Sequence, residues 1–202
     1  ELKHKKYKRV VQTISYAPHF ISTVVLVSML TVFLDPSTGI INKLFGMIGM
    51  GPFKFMSSSG LFAGVYVVSD IWQHVGWNAV IYLAALAGID YELHEAAMMD
   101  GASRLRRIWH INLPGILPTI AILLILQTGN LMSVGFEKVF LLQNPLNLES
   151  SEIISTFVYK MGLQYRQYSY STAIGLFNSV VNLILLVSVN FCAKKVSGFG
   201  LW

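Results

Sequence analysis

The sequence predicts an all-α fold, a polytopic bundle of transmembrane helices that forms one membrane domain over residues 1–202. Three observations support this prediction. Hydrophobic residues make up 54% of the chain and charged residues only 12%, whereas soluble domains carry about a quarter charged residues. Four segments are mostly apolar over the roughly 20 residues that a helix needs to cross a bilayer. The basic residues are concentrated at the two ends of the chain and in the loop between the second and third of these segments.

The four predicted spans are, approximately, Val10–Leu34 (segment A), Leu61–Ile89 (segment B), Leu113–Met132 (segment C) and Ala173–Phe191 (segment D). Segment A contains Pro18 and His19, so we expect its first turns to be kinked or to lie at the membrane interface. Segment B is interrupted by polar residues, among them Asp70, the one acidic residue well inside an apolar segment. Segment C carries Pro114 and Pro118 in its opening turns, and a first helical turn tolerates proline.

The connections between the spans carry turn signals. After segment A, the run Asp35–Gly39 predicts a turn. An amphipathic stretch follows, and then a break rich in Gly, Pro and Ser over Gly49–Gly60. Between segments C and D lies a longer connection, about Val134–Ser171, with a predicted turn at Asn144-Pro145 and a predicted short helix over Ser150–Met161.

Lysine and arginine orient the predicted bundle. With four spans, the start of the chain, the loop between segments B and C, and the end of the chain all lie on one side. By the positive-inside rule that side is cytoplasmic. The same sorting accounts for the net charge of +5, so we infer no nucleic-acid role. These regions hold ten of the 15 basic residues, namely Lys3, Lys5, Lys6, Lys8, Arg9, Arg104, Arg106, Arg107, Lys194 and Lys195.

The loop between segments B and C, about residues 90–114, is predicted to fold into two short helices. Asp90 is a good N-cap for a helix that begins at Tyr91, and acidic residues in its first turns suit the helix dipole. Gly101 is placed to end that helix in a left-handed conformation. Ser103 can cap a second helix. From these residues alone, a docking element for a soluble partner and an ordinary amphipathic loop on the membrane surface both remain open.

The spacing within this loop resembles a known family. Glu95-Ala96-Ala97, three residues, Gly101, nine residues, Ile111, one residue and Leu113-Pro114 match the EAA loop of permease subunits of bacterial binding-protein-dependent ABC importers. The resemblance extends, on weaker cues, to the polysaccharide and oligosaccharide uptake branch of these permeases. Those cues are Tyr16-Ala17-Pro18-His19-Phe20, Gly76-Trp77 and the ending Gly200-Leu201-Trp202.

The resemblance implies the type I ABC importer permease fold in the bacterial inner membrane. Members of the family have six spans with this loop between the fourth and fifth, so the chain is expected to lack the first two. The expected function is import of a carbohydrate, an oligosaccharide, coupled to ATP hydrolysis in partner subunits. The implied partners are a second permease subunit in a heterodimer, two ATP-binding subunits, an extracytoplasmic solute-binding protein and membrane lipid.

No ATP site is expected in this chain, because the pattern G-x-x-x-x-G-K-[ST] does not occur in the sequence. ATP and magnesium would therefore be bound by the partners, the chain itself would hold no cofactor or metal, and it would not be an enzyme. Two alternatives remain open. One is the same class of permease with a substrate other than a sugar, and the other is a membrane scaffold whose charged loop recruits a soluble protein.

Two sets of candidate site residues follow. In the coupling loop, Glu95 would make a charged contact to the ATP-binding subunit or brace the loop, and Gly101 would allow the sharp turn. The coupling residues implied by the resemblance are Glu95, Ala96, Ala97, Asp100, Gly101, Ile111, Leu113 and Pro114. The polar and aromatic residues predicted to line a substrate pathway are Asp70, Trp77, Asn78, Asn130, Asn178 and Asn182. Contacts that only hold helices together are the alternative for this second set.

Overall fold

A computed structural model describes residues 5–132, 135–198 and 200. These residues form helices and turns with no strand among them, which confirms the predicted all-α fold. The helices are α1 (Lys5–Tyr16), α2 (Thr23–Phe33), α3 (Ile40–Met47), α4 (Ser59–Ala87), α5 (Tyr91–Met99), α6 (Arg104–Arg107), α7 (Leu113–Gly129), α8 (Phe136–Leu142), α9 (Leu148–Ser151), α10 (Ile154–Tyr159) and α11 (Tyr168–Ser197).

Segments B, C and D correspond to α4, α7 and α11. Among the described residues, two helical stretches are long and apolar enough to cross a membrane, Arg104–Gly129 and Tyr168–Lys195. A third is reached if α1 and α2 together count as one bent span. Helix α4 has 29 residues, but polar side chains in its middle make it less apolar. The total of four spans stays a prediction.

Segment A is not one continuous helix, and its interruption falls at Pro18 and His19, where the sequence predicted a kink or an interfacial turn. It divides into α1, a 3₁₀ turn over Ala17–Phe20, and α2, with α1 and α2 bent by 102°. Pro18 lies in the first turn of the 3₁₀ segment, where its missing N–H and fixed φ favour a break. Ser22 then begins α2 by accepting a hydrogen bond from the Val25 amide at 3.4 Å. The prolyl turn and the new cap together account for the bend.

Helix α4 holds this bend from one side. Gly76 is buried and packs directly on the backbone of Ser15, the penultimate residue of α1. The amide of Gln73, one turn earlier on α4, donates to the carbonyl oxygen of Ile21 at 2.9 Å. This bond satisfies a carbonyl in the linker that joins the turn to α2. The glycine therefore allows the close approach, and the glutamine bonds the backbone at the break.

The turn between α2 and α3 is tied by Asp35. One carboxylate oxygen accepts from the amides of Ser37 and Thr38, at 2.9 and 2.7 Å, and from both of their hydroxyls. These bonds, led by the one from the Thr38 amide, hold the pKa of Asp35 well below its usual range. The predicted turn over Asp35–Gly39 is confirmed, and its carboxylate acts as the acceptor that shapes it.

Contacts divide the chain into two compact units. The first comprises Glu1–Trp77 and Ser133–Leu176, and its core contains Val27, Phe62 and Leu142. In the same unit, Asn144 and Asn147 both donate to the carbonyl oxygen of Met56, at 2.7 and 3.0 Å. These amide bonds tie the connection after α8 to the chain just before α4.

The second unit comprises Asn78–Met132 and Phe177–Trp202. Within it, α7 and the second half of α11 approach closely where Gly129 faces Leu186. The amide of Asn182 donates to the Gly129 carbonyl at the end of α7. The assignment of residues 1–202 to one membrane domain stays a prediction.

The predicted short helix over Ser150–Met161 is divided by the structure. Helix α9 ends at Ser151, and α10 begins at Ile154. The Thr156 hydroxyl bonds both to the Ile153 backbone and to the Glu152 carboxylate, at 2.6 Å for the carboxylate. Thus local side-chain bonds cap a new helix where the sequence pattern suggested a continuous one.

We expect Gly76→Ala to destabilise the first unit, because its methyl group would overlap the Ser15 carbonyl and force α1 away from α4. Overpacking of this kind costs about 1–3 kcal/mol. Gly64→Ala is the matched control on the same helix, since no atom lies within 4 Å of the added methyl. Thermal unfolding in detergent measures both. Equal melting temperatures for the two variants would contradict the close contact.

Candidate coupling loop and transport pathway

Helix α5 begins as the sequence predicts. The Asp90 carboxylate accepts a hydrogen bond from the Glu92 amide at 3.0 Å, which confirms Asp90 as the N-cap. Every residue of α5 is exposed or half-buried. Glu95 and Ala96 are exposed, and Ala97 is half-buried. A charged helix start followed by two small residues thus lies on the surface, where another protein could approach its backbone.

Gly101 ends α5 in the left-handed conformation that we predicted, with φ of +70°. The Ala102 amide donates to the Ala97 carbonyl at 2.8 Å, and the Gly101 amide donates to the Met98 carbonyl at 3.1 Å. This pair of bonds is a Schellman motif. Apart from its chain neighbours, no described residue has an atom within 4 Å of the point where a side chain at position 101 would begin. The glycine is therefore required by backbone conformation rather than by packing within the chain.

The second half of the loop runs without interruption into a span. Ser103 caps α6 by accepting from the Arg106 amide at 3.4 Å, as predicted. Helix α6 continues through a π-helical turn over Ile108–Asn112 into α7. Leu113 donates to the carbonyl of Ile108, five residues back, so the wider turn accommodates the missing amide of the proline that follows.

The predicted coupling residues therefore fall into two groups. Glu95, Ala96, Ala97, Asp100 and Gly101 form the exposed surface of α5 and its C-terminal turn. Ile111, Leu113 and Pro114 lie at the junction of the π-helical turn and α7. The first group can contact a partner directly, while the second can transmit its displacement along a continuous helix.

The loop also exposes large apolar side chains that the motif does not include. Met99 is 89% exposed and Leu105 is 70% exposed, and Trp109 and Leu93 are more than half exposed. Exposed apolar side chains ringed by charged ones mark interaction surfaces in proteins. In the sequence, the alternation of Leu105 with Arg104 and Arg106 indicated an exposed surface. Met99 was not predicted to be part of that surface.

Asp70, the acidic residue within α4, is paired. The Lys138 ammonium on α8 lies 3.1 Å from its carboxylate, and His74 lies 3.5 Å from the same oxygen. Lys138 also donates to the Tyr66 carbonyl at 3.4 Å and lies 4.9 Å from the centre of the Tyr66 ring. Its side chain is only 6% exposed, whereas that of Asp70 is 45% exposed.

The lysine of this pair was missed by sequence reasoning. Lys138 is 68 positions from Asp70 and lies in a connection rather than a span. Burial lowers the pKa of Lys138, while the bond to Asp70 and its charge act in the opposite direction. An acid within an apolar helix needs a partner, and this requirement was the only signal in the sequence.

Trp77 lies in the aromatic group beside the bend. Its ring stacks on His19 with centroids 4.7 Å apart and planes within 2°, and Phe20 meets it edge-on at 5.8 Å. Trp77 remains 42% exposed. One ring face thus supports the turn, and the exposed part stays available for contact with a solute.

The predicted asparagines have different surroundings. Asn78 is exposed on α4. Asn130 caps α7 and donates to the Leu126 carbonyl at 3.3 Å. Asn182 bonds to the Gly129 carbonyl and joins two helices, and Asn178 has a buried carbonyl oxygen with no hydrogen-bond partner among the described residues. The structure therefore gives Asn182 a helix-joining contact, and the Asn178 acceptor is left unused by the described residues.

A groove between α2, α3 and α4 has a volume of about 580 Å³, but it does not suit a sugar. Its walls include Leu26, Phe33, Phe45 and Val68, and the Ser69 hydroxyl there donates to backbone carbonyls of its own helix. Sugar hydroxyls placed in such a groove would lose their hydrogen bonds to water without replacement. The groove is therefore not a candidate for the sugar pathway.

Comparison with known proteins gives consistent matches. A model of the family described as binding-protein-dependent transport system inner membrane component matches residues 2–198. The chain is 46% identical over 202 residues to Protein LplB of Bacillus subtilis, covering 100% of this chain and 64% of LplB. It is 44% identical to the polygalacturonan/rhamnogalacturonan transport system permease protein YteP of the same organism, covering 100% of this chain and 63% of YteP.

Solved structures match as well. One is a bacterial ABC transporter involved in the import of the acidic polysaccharide alginate, with a TM-score of 0.94 and 40% identity over 97% of this chain and 68% of that chain. Another is a bacterial alginate ABC transporter in complex with its alginate pentasaccharide-bound periplasmic protein. It has a TM-score of 0.96 and 40% identity over 100% of this chain and 70% of that chain. The chain spans just under two thirds of the length of the curated relatives LplB and YteP.

We expect Lys138→Met to destabilise the protein by about 1–3 kcal/mol, because it leaves Asp70 without its cation. This range is below the cost of breaking a fully buried pair, since Asp70 is 45% exposed. The double variant Asp70→Asn/Lys138→Met should recover part of the loss. Lys54→Met, at an exposed lysine, is the control. Thermal unfolding in detergent of these three variants and of Asp70→Asn alone gives the coupling energy, and strictly additive losses would show that the pair contributes nothing.

Proposed function

The chain belongs to the family of binding-protein-dependent transport system inner membrane components, and from this premise we propose that it forms the permease part of an ABC importer for an oligosaccharide. It is accordingly a membrane protein of the inner membrane. The surface that carries the proposal is the exposed helix α5 with its glycine-ended turn. This surface joins directly to a helix that is long and apolar enough to cross the membrane.

In this proposal the loop couples ATP hydrolysis to transport. Helix α5 docks in a cleft of a cytoplasmic ATP-binding subunit, and Glu95 makes a charged contact there. Ala96 and Ala97 allow close approach of the two backbones. Displacement of α5 then passes through the turn at Gly101 and along the continuous stretch Arg104–Gly129 into the membrane. ATP and magnesium are bound by the partners and not by this chain.

The proposed assembly has a second, related permease subunit, two ATP-binding subunits and an extracytoplasmic solute-binding protein. Support comes from the family's description as binding-protein-dependent and from the alginate transporter, which was solved with a periplasmic protein that holds the sugar. Positive-inside sorting supports the orientation, because the exposed basic residues of α6 share a loop with the docking helix.

The proposed substrate class is an oligosaccharide or a fragment of a polysaccharide. Its support is that YteP and the alginate transporter are named for polysaccharides. On the chain itself, the half-exposed Asp70 carboxylate can accept from sugar hydroxyls, while Lys138 fixes its position. The exposed part of the Trp77 ring can pack on the C–H face of a sugar. Asn78, Asn130 and Asn178 are further polar candidates on the pathway.

The substrate proposal predicts saturable uptake by the complete transporter. The permease pair, the ATP-binding subunits and the binding protein would be reconstituted in proteoliposomes with ATP inside. Labelled oligosaccharides, both uronic-acid and neutral, would be supplied outside with amino acids as the comparison. Uptake of an oligosaccharide that requires both ATP and the binding protein is the expected result. Uptake of amino acids but not of oligosaccharides would contradict the proposed substrate class. Absence of any uptake, with the ATP-binding subunits still bound to the permease, would favour a scaffold.

The coupling proposal predicts that Gly101→Glu and Glu95→Ala lose most solute-stimulated ATPase activity and uptake while the permease still inserts. A side chain at Gly101 costs about 1 kcal/mol in backbone strain, and its carboxylate would also enter the docking cleft. Loss of one partner of a buried interfacial charge pair costs about 2–5 kcal/mol, which we expect at Glu95.

Two controls separate docking from folding. Gly49→Glu places the same side chain at another open left-handed glycine, with φ of +77°, in a connection predicted to face outward. Arg106→Gln removes an exposed charge from α6. Both controls should transport near the wild-type rate. Wild-type transport by the Gly101 and Glu95 variants would mean that force does not pass through α5.

A further inference from the structure

Helix α1 carries an apolar stripe that the rest of the described chain leaves uncovered. Tyr7, Val10, Val11 and Ile14 recur at the i, i+3, i+4, i+7 spacing that places them on one face. Their side chains are 58%, 53%, 39% and 67% exposed. Four neighbouring apolar residues on a solvent-facing helix are a costly arrangement in water, so this face requires a cover.

The contact of α1 with α4 uses a different part of the helix. Ser15 packs on Gly76, and Ser15 lies about 100° around the helix from Ile14, since each residue turns the helix by that angle. This contact fixes the rotation of α1 about its own axis. As a result the stripe lies beside the contact with α4: Val11, one turn before Ser15, borders that contact and is the least exposed of the four, and Tyr7, Val10 and Ile14 stay more exposed.

The direction of α1 suits a membrane surface. Helices α1 and α2 are bent by 102°, so α1 is close to perpendicular to α2. If α2 lies along the predicted span, α1 lies near the plane of the bilayer. Helix α1 is therefore oriented to lie along the membrane surface rather than across it.

The charges on α1 favour an anionic membrane surface. Lys6, Lys8 and Arg9 are exposed, and α1 contains no acidic residue. In the described part of the chain no carboxylate forms an ion pair with them. Lys6 and Lys8 lie on either flank of the apolar stripe, where long side chains can reach headgroups while their stems cover apolar atoms. The region is predicted to be cytoplasmic, and that leaflet carries anionic lipid.

We propose that α1 is an interfacial anchor that binds anionic phospholipid. Its stripe enters the boundary between headgroups and acyl chains, and Lys6, Lys8 and Arg9 contact lipid phosphates. Helices of this pattern lie in the interface with their apolar face about 5–10 Å deep. The anchor joins α4 through Gly76 and α2 through the prolyl turn, so it fixes the level of the bend in the membrane. This proposal is independent of the transported substrate.

Depth measurement by spin labelling tests the anchor. Nitroxide labels at Ile14→Cys and at its neighbour Thr13→Cys would be compared in a Cys192→Ser background. The complete transporter would be held in nanodiscs of phosphatidylcholine with phosphatidylglycerol. Collisions with oxygen report the lipid phase, and collisions with a nickel chelate report water. We expect the oxygen-to-nickel ratio at position 14 to exceed that at position 13 by on the order of tenfold.

Charge is tested in the same preparation. Lys6→Gln, Lys8→Gln and Arg9→Gln together should raise nickel collisions at position 14, since each lost basic residue weakens binding to anionic lipid about fivefold. When all three basic residues are in place, nanodiscs of phosphatidylcholine alone should likewise raise nickel collisions at position 14. Lys54→Gln, at an exposed lysine outside α1, should change nothing.

Three outcomes would overturn the proposal. Equal nickel collisions at positions 13 and 14 would place the stripe in water. Protection of position 14 from both reagents would show that a protein partner covers it. An unchanged depth in neutral nanodiscs would remove anionic lipid as the ligand. None of these measurements requires transport, so they are separate from the uptake experiment.

Discussion

At three places among the described residues where regular helical hydrogen bonding is interrupted, a side-chain amide bonds the backbone. A break in a helix at membrane depth leaves backbone groups that no water can bond, and each unbonded group costs several kcal/mol. At the bend after Pro18, Gln73 bonds the Ile21 carbonyl. At the end of α7, Asn182 bonds the Gly129 carbonyl. The same need is met between α2 and α4 by Asn42, which bonds both the amide and the carbonyl of Phe53.

Charged side chains in the apolar part of the chain are paired, just as interrupted backbone groups are hydrogen-bonded. Asp70 lies in a long apolar helix and keeps a cation at 3.1 Å, while the buried Lys138 is surrounded by that carboxylate, a carbonyl and a ring face. The pairing leaves the carboxylate half-exposed and the lysine buried. The carboxylate that we propose for the solute pathway is thereby held in place by a buried lysine that does not itself need to contact the solute.

The loop of α5 and α6, by contrast, is stabilised by its own residues and lies exposed. Its residues are exposed or half-buried, its caps are made by its own short side chains, and its turn is a left-handed glycine with open space around it. Among the described residues, no hydrogen bond or ion pair fixes the side chain of Glu95 or Met99. A surface held together locally and exposed outward is what a separate docking partner can use.

Local chemistry in the sequence determined the all-α fold, the ends of α5 at Asp90 and Gly101, and the start of α6 at Ser103, because caps and turns depend on residues within a few positions. It also located the loop motif and the lone acid at Asp70. Only the tertiary structure decided that segment A divides into two helices, that Gly76 faces Ser15, and that Lys138 and Gln73 are the partners of Asp70 and Ile21. Those pairs are separated by 68 and 52 positions, and no local pattern selects one distant partner among several polar residues.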